Sequence, residues 1–257
     1  MRYTILYFLL CTSLIACEEA TNFPLTTDNS NLVVVEGILT NENINHRIKL
    51  TRPYKTQNEI PEAITGAVVT LNDESASYIL TELPAGSGEY YTPQMRAVTG
   101  RVYTLTIAYN KKEYTAQDSA VPVEVLDAIQ YKKAGDQYEL VFAPSGQDPN
   151  FIEYTIVENN TAAGRLVYYD LKTLDVNEIY KPDKEDFAFA AGTIVIRRKY
   201  SVSEAYRAFL RSMLSETEWR GGVFDVQRDN VSTNLSDGAV GFFAVSTVVA
   251  DTTVITE

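Results

Sequence analysis

The chain has 257 residues, of which 45% are hydrophobic, and a formal net charge of −12. This apolar content is enough for a packed core, which excludes a disordered chain, and the length predicts one or two domains. The negative charge argues against nucleic acid as a partner, because a protein that binds phosphates needs basic patches. The 17 tyrosines and 10 phenylalanines are typical of β-structure.

The N-terminus has the layout of a secretory signal. A positively charged start precedes an apolar run from Ile5 to Ala16, which is too short to span a bilayer. The end of this run, Leu14-Ile15-Ala16-Cys17, resembles a bacterial lipobox, in which Cys17 becomes the acylated first residue of the mature chain. The sequence therefore predicts a signal peptide at residues 1–16 and lipid attachment at Cys17. The alternative is an ordinary secretory signal that leaves Cys17 as a free thiol.

The segment after the lipobox predicts a tether. Glu18 and Glu19 follow Cys17 directly. An acidic pair at this position resembles the surface-export signal of lipoproteins in the Bacteroidota, which favours the outer face of the outer membrane. The alternative is the start of a charged, solvated linker. Residues 17–31 are polar and predict a flexible lipidated tether. Cys11 lies inside the signal, so the mature chain keeps no free thiol for a disulfide, a zinc site or a nucleophile.

Short alternating runs then predict β-strands. Leu32-Val33-Val34-Val35 predicts a buried strand that ends at Gly37. His46, Ile48 and Leu50 alternate with polar residues, and the clearest alternation runs from Val102 to Tyr109. Several such strands separated by turns predict an immunoglobulin-like β-sandwich over residues 32–120.

The segment from Asp118 to Glu124 contains Pro122 and predicts a domain boundary. Residues 121–257 predict a second β-rich domain, in which Val240 to Val249 forms a central strand. One amphipathic helix is predicted at about residues 202–216. Ser201-Val202-Ser203-Glu204 fits a capping box, and a helical apolar stripe follows it, which favours a helix that covers the second core. The predicted fold class is therefore mainly β with one helix.

His46 is the one histidine of the chain. It is a candidate general base or metal ligand, but no partner motif accompanies it, so we favour a partly exposed strand residue. No nucleophile elbow, phosphate loop or zinc motif is found, so the sequence predicts no catalytic residue, cofactor or metal and favours a non-enzymatic protein.

Two acidic groups are candidates for chemistry. One is a possible calcium cluster that lacks the alternating ligand loop, which favours a solvated loop instead. The other is a possible carboxylate pair for glycoside hydrolysis, with nothing in the sequence to set its separation. The cluster is Asp183, Glu185 and Asp186, and the pair is Asp225 and Asp229.

Six ordered segments carry a family resemblance. Leu32–Gly37, Gly66–Leu71, Gly100–Ile107, Tyr200–Glu204, Trp219–Asp225 and Gly238–Ser246 are together similar to a Bacteroidota lipoprotein family known as domain of unknown function 4249. Its members are typically encoded beside TonB-dependent outer-membrane receptors. The resemblance implies an accessory surface lipoprotein of such a transporter and supplies no catalytic residues. The alternatives are a stand-alone surface lipoprotein that binds a glycan or a peptide and, less favoured, a carboxylate-dependent hydrolase.

Overall fold

A computed structural model describes residues 31–54, 59–142, 146–172, 188–217 and 231–257. These residues form sixteen β-strands and one α-helix, which confirms the predicted mainly β fold with one helix. The strands are β1 (Val33–Thr40), β2 (Arg47–Thr51), β3 (Val68–Asn72), β4 (Ser77–Ile79), β5 (Thr81–Glu82), β6 (Glu89–Tyr91), β7 (Val102–Tyr109), β8 (Lys112–Ser119), β9 (Tyr131–Ala134), β10 (Gln137–Leu140), β11 (Asn150–Glu158), β12 (Thr161–Asp170), β13 (Ala188–Phe189), β14 (Ile194–Ser201), β15 (Ala239–Ser246) and β16 (Val248–Val254). The helix, α1, spans Glu204–Thr217.

Two sheets built mainly from the first half of the chain share one hydrophobic core. Their strand orders are β15-β1-β2-β6-β5 and β4-β3-β7-β8. Side chains that alternate along the strands point from both sheets into one cluster, which includes Val35, Leu50 and Leu105, each fully buried. Burying apolar side chains between two sheet faces is the main stabilising contribution of such packing. The immunoglobulin-like description of residues 32–120 stays a prediction.

The second half of the chain contains two further sheets, with strand orders β12-β11-β14-β16 and β13-β10-β9. The two faces of the four-stranded sheet contribute to different cores, because successive side chains of a strand point to opposite faces. Ile152 and Tyr154 of β11 share one cluster with Phe189 of β13. Phe151 stacks on Tyr200 with ring centroids 4.4 Å apart, in the cluster that α1 covers. The predicted domain bounds of 121–257 stay a prediction.

The predicted central strand from Val240 to Val249 is wrong in one respect. The run is divided at Thr247 into β15 and β16, which lie at the margins of two different sheets. Thr247 fixes this crossing point: its Oγ1 donates to Val121 O at 2.7 Å, and its amide donates to Ser201 Oγ at 2.8 Å. Next to it, the Val248 amide donates to Asn41 Oδ1 at 2.7 Å. The two halves of the chain are therefore joined by the hydrogen bonds to Val121 and Asn41 as well as by packing.

The helix begins two residues later than predicted, and its cap is a different serine. The Tyr206 amide donates to Ser203 Oγ at 3.1 Å, so Ser203 is the N-cap residue. The hydroxyl of Ser201 donates instead to Val121 O at 2.8 Å. Glu204 is the first helical residue and not the third, so the predicted capping box between Ser201 and Glu204 is wrong.

Among the described strands, β15 pairs with β1 alone, and side chains close most of its outer margin. Asn234 donates to Phe243 O at 2.8 Å, accepts from Phe243 N at 3.2 Å, and also donates to Gln117 O of β8 at 3.0 Å. Further along, the Val245 amide donates to Asp118 Oδ2 at 2.8 Å. Asn234 and Asp118 therefore connect the margins of two sheets and satisfy backbone groups that would otherwise be open to pairing.

Two glycines allow strands to approach closely. The predicted end of the first strand at Gly37 is wrong, because β1 continues to Thr40. A Cβ at Gly37 would lie 2.3 Å from Ile48 Cδ1, so the absence of a side chain makes room for Ile48. In β15, Gly241 has a φ of +95°, and a Cβ there would lie 2.2 Å from Val35 O. Only glycine fits this position without moving the backbone of β1.

We expect Gly241→Ala to destabilise the protein by about 3 kcal/mol or more, since it combines left-handed strain with a backbone clash. Gly100→Ala is the matched control, because Gly100 has a φ of +85° with no atom within 4 Å. It should cost about 1 kcal/mol from strain alone. Urea unfolding monitored by circular dichroism measures both values. Equal losses for the two variants would contradict the close approach of Gly241 to Val35.

The pH dependence of stability should report on Asp118. Burial raises the pKa of this carboxyl, although hydrogen bonds from Ser203, Val245 and Ser119 oppose the shift. The folded state then holds the proton more tightly than the unfolded state does. The contribution of Asp118 to the free energy of unfolding is therefore greatest below about pH 4 and declines as the pH rises through the raised pKa.

Asp118→Asn removes this titration, so the stability of the variant relative to the parent protein should increase as the pH rises above about 4. Urea unfolding of both proteins across this range measures the difference. A constant difference at every pH would show that Asp118 has an ordinary pKa in the folded protein.

Candidate functional site

The clearest candidate surface lies where the chain enters the fold, and Arg52 organises it. The Arg52 Nη1 donates to Asn31 O at 3.0 Å and to Leu32 O at 3.3 Å. Its guanidinium carbon lies 5.4 Å from the centre of the Tyr109 ring, a cation–π distance, and Nη2 is 3.5 Å from the Tyr109 hydroxyl. Arg52 therefore fixes the segment ahead of β1 against the end of β7.

An open depression adjoins this contact. It has a volume of about 620 Å³ and is lined by the loop at Thr65 and Gly66 and by the β7–β8 hairpin from Ala108 to Glu113. The hairpin turn consists of Asn110 and Lys111, which have φ values of +49° and +60°. Two successive residues with positive φ are typical of the tight turn that matches strand twist. We call this region, with Arg52 and Tyr109, the entry end of the fold.

The chemistry of the depression is that of a binding surface with mixed charge. Lys111 and Lys112 bring two cations, Glu113 brings a carboxylate, and Thr65 and Asn110 bring a hydroxyl and an amide. These groups can donate and accept hydrogen bonds to a polar ligand. Local sequence patterns do not predict this region, because Arg52, Thr65 and Tyr109 are separated along the chain and meet only in the fold.

The residues predicted to carry lipid attachment and surface export, Cys17, Glu18 and Glu19, lie outside the described residues. So do the acidic candidates, both the cluster around Glu185 and the pair around Asp229. Within the part of the chain that the structure describes, no group of three or more metal-ligating side chains (His, Cys, Asp or Glu) is found.

His46 is buried, so the prediction of a partly exposed strand residue is wrong. It is 2% exposed and precedes β2. The Thr40 amide donates to Nδ1 at 3.4 Å, and Nε2 lies 3.1 Å from Met95 O, which can only accept. These partners require a neutral ring with its proton on Nε2. Burial lowers the pKa of His46, against the opposing hydrogen bonds to Met95 and Glu42, which agrees with a neutral ring.

Asp73 is a buried carboxylate that the sequence analysis did not single out. It accepts hydrogen bonds from Ser75 Oγ at 2.8 Å, from the Ala76 amide at 2.7 Å and from Arg101 Nη1 at 2.9 Å. Burial raises the pKa of Asp73, but the hydrogen bonds from Ser75, Ala76 and Arg101 outweigh it and lower the pKa to about 2. Asp73 therefore remains ionised and holds the β3–β4 turn. Asn and Asp residues, here Asn72 and Asp73, are typical of turns.

Buried cations in β14 join the parts of the second half of the chain. Arg197 binds Asp251 through two hydrogen bonds, Nε to Oδ1 at 3.0 Å and Nη2 to Oδ2 at 2.7 Å, and also donates to Asp127 O. The Lys199 side chain is 1% exposed, and its Nζ lies 3.7 Å from a carboxylate oxygen of Glu124. A buried charge needs such partners, because desolvation is costly. We therefore assign a structural role to Arg197 and Lys199.

Comparison with known proteins identifies the family. The model of a family described as a domain of unknown function, DUF4249, matches residues 18–252. The chain therefore belongs to this family, whose function has not been assigned. None of the curated proteins matches the chain. Among the described residues, no helix has the length and apolar character needed to cross a membrane.

Arg52→Gln should loosen the segment ahead of β1 without unfolding the protein. The variant loses the charged donors to Asn31 O and Leu32 O, so limited proteolysis before Val33 should become several-fold faster. Arg47→Gln is the control, because Arg47 pairs with Glu89 on an adjoining strand and its side chain is 51% exposed. Equal cleavage rates in the two variants would show that Arg52 does not hold the entry segment.

Proposed function

We propose that the chain is a lipid-anchored protein of the outer membrane that serves as a non-enzymatic accessory of a TonB-dependent transporter. The observation that carries the proposal is Leu14-Ile15-Ala16-Cys17 at the end of a short apolar run. Membership of the DUF4249 family supports it through the resemblance to lipoproteins encoded beside such receptors. In this proposal residues 1–16 are a signal peptide, and acylated Cys17 holds residues 17–31 as a tether.

The mechanism is local concentration. Fourteen residues from Glu18 to Asn31 reach at most about 50 Å when extended, so the folded body stays close to the bilayer. A tether of this length gives the body an effective concentration of about 1 mM toward a neighbour in the same membrane, so weak contacts suffice. Arg52 holds the end of the tether against the fold, so the tether leaves the fold at the entry end.

Cys17→Ala should move the protein from the membrane fraction to the soluble fraction, because the acyl chains would be its membrane attachment. Cys11→Ala is the matched control, since Cys11 lies inside the predicted signal and should leave membrane attachment unchanged. Fractionation followed by immunoblotting measures the distribution. A Cys17→Ala protein that still sediments with membranes after a salt wash would contradict lipid anchoring.

The accessory role is tested by purifying a C-terminally tagged protein from mildly solubilised outer membranes. A TonB-dependent receptor recovered in stoichiometric amount would support the role. Recovery of the lipoprotein alone would contradict a stable complex and would favour the second candidate.

The second candidate function is a stand-alone surface lipoprotein that binds a glycan or a peptide. The depression at the entry end favours it, because its volume of about 620 Å³ lies within the range of small-ligand sites. Binding in glycan or peptide screens that is lost on charge reversal of Lys111 and Lys112 would favour this role over the accessory role.

A further inference from the structure

The outer face of the sheet β4-β3-β7-β8 is almost free of charge. The strand register places thirteen side chains on it: two from β4, three from β3 and four each from β7 and β8. All are half-buried or exposed, and the charged residue among them is Glu113, at one end. We call this surface the Thr face, after Thr70, Thr104, Thr106 and Thr115, which lie side by side on β3, β7 and β8.

The charge depletion of the Thr face is not a general property of this protein. Charged residues make up 22% of the chain, which corresponds to about three in thirteen positions. The outer face of the neighbouring sheet carries such charges, including Glu36, Arg47 and Lys49. Threonine has a higher strand propensity than lysine or glutamate, but exposed edge strands such as β8 commonly carry charged side chains, especially lysine. Depletion of charge is the compositional signature of the central part of a protein interface.

The Thr face is continuous with the entry end. Ala108 and Glu113 belong to the face and also line the depression beside Arg52 and Tyr109. The face therefore begins where the predicted tether joins the fold and extends about 26 Å along β7, at about 3.3 Å per residue. A tether of at most about 50 Å keeps this whole surface within reach of proteins embedded in the same bilayer.

The size of the face indicates the kind of partner. The four strands, which have three, five, eight and eight residues and lie about 4.8 Å apart, give an area of about 400 Å². A stable complex between freely diffusing proteins, including a dimer of this chain, needs about 800 Å² from each partner. A smaller contact is sufficient when both proteins are confined to one membrane.

We propose that the Thr face is the surface through which the tethered protein contacts an integral membrane protein in the same bilayer. This inference rests on the proposed lipid anchoring and specifies the partner-binding surface. The partner contributes an equally uncharged surface, because an unpaired charge pressed against the threonines would lose its water without gaining a counter-ion.

The test uses the full-length protein in intact cells with a photo-crosslinking amino acid in place of Thr115, which is exposed midway along the edge strand β8 of the face. We expect one crosslinked product, with an integral membrane protein. In a protein that carries the same probe at Thr115, the further substitution Thr106→Lys should lower the yield of the crosslinked product at least tenfold, because a lysine in the middle of the contact is left unpaired. Adding Thr252→Lys, at an exposed strand position in β16, should leave the yield unchanged. The same probe at Glu36 should give no such product.

Several outcomes would overturn the assignment: a product containing a second copy of this chain, a product with a glycan, no product at all, or a yield that Thr106→Lys does not lower. A cooperative thermal unfolding transition of the Thr106→Lys protein is the control that the variant is folded. Membrane fractionation of every variant separates the two proposals. A protein that is absent from membranes contradicts lipid anchoring, whereas a membrane-bound protein without the crosslink contradicts the Thr face alone.

Discussion

Parallel pairing of β1 with β15 is the constraint on which the rest of the structure depends. Eight residue pairs, from Val33 with Ala239 to Thr40 with Ser246, join strands from opposite ends of the chain. This pairing brings β15 into the first core and leads the chain through Thr247 into the sheet of the second half. Non-local pairing of this kind is costly in chain entropy and must be offset by the core that it completes. Gly241 permits the close approach of the two strands. The side chains of Asn234 and Asp118 form hydrogen bonds with backbone groups on the outer margin of β15.

The sequence predicted the features that depend on local pattern. The alternation from Val102 to Tyr109 is a complete strand, and the apolar stripe after Ser203 is a helix that covers a core. The burial of His46 was also present in the pattern, since His46 lies in phase with Ile48 and Leu50, which both face the core. The alternation placed all three on one face, whereas the lack of a partner motif favoured the interpretation of His46 as partly exposed.

Other features depend on contacts that leave no local mark. Thr247 continues a run of β-branched residues, and only the hydrogen bonds to Val121 and Ser201 make it a point of division between two sheets. Arg52 and Tyr109 are 57 positions apart, and neither stands in a recognisable motif. The entry end therefore arises from topology, and no catalytic or ligand-binding motif in the sequence indicates it.

The position of β1 between β15 and β2 has a mechanical consequence. A pull on the segment ahead of Val33 acts along the axis of β1, whereas the hydrogen bonds to β2 run across that axis. The load is thus applied in shear, and the bonds on both sides of β1 must yield together instead of opening one after another. A terminal hairpin pulled from its open end would unzip at much lower force. The proposed tether would accordingly join the fold at a strand that resists being pulled out of its sheet.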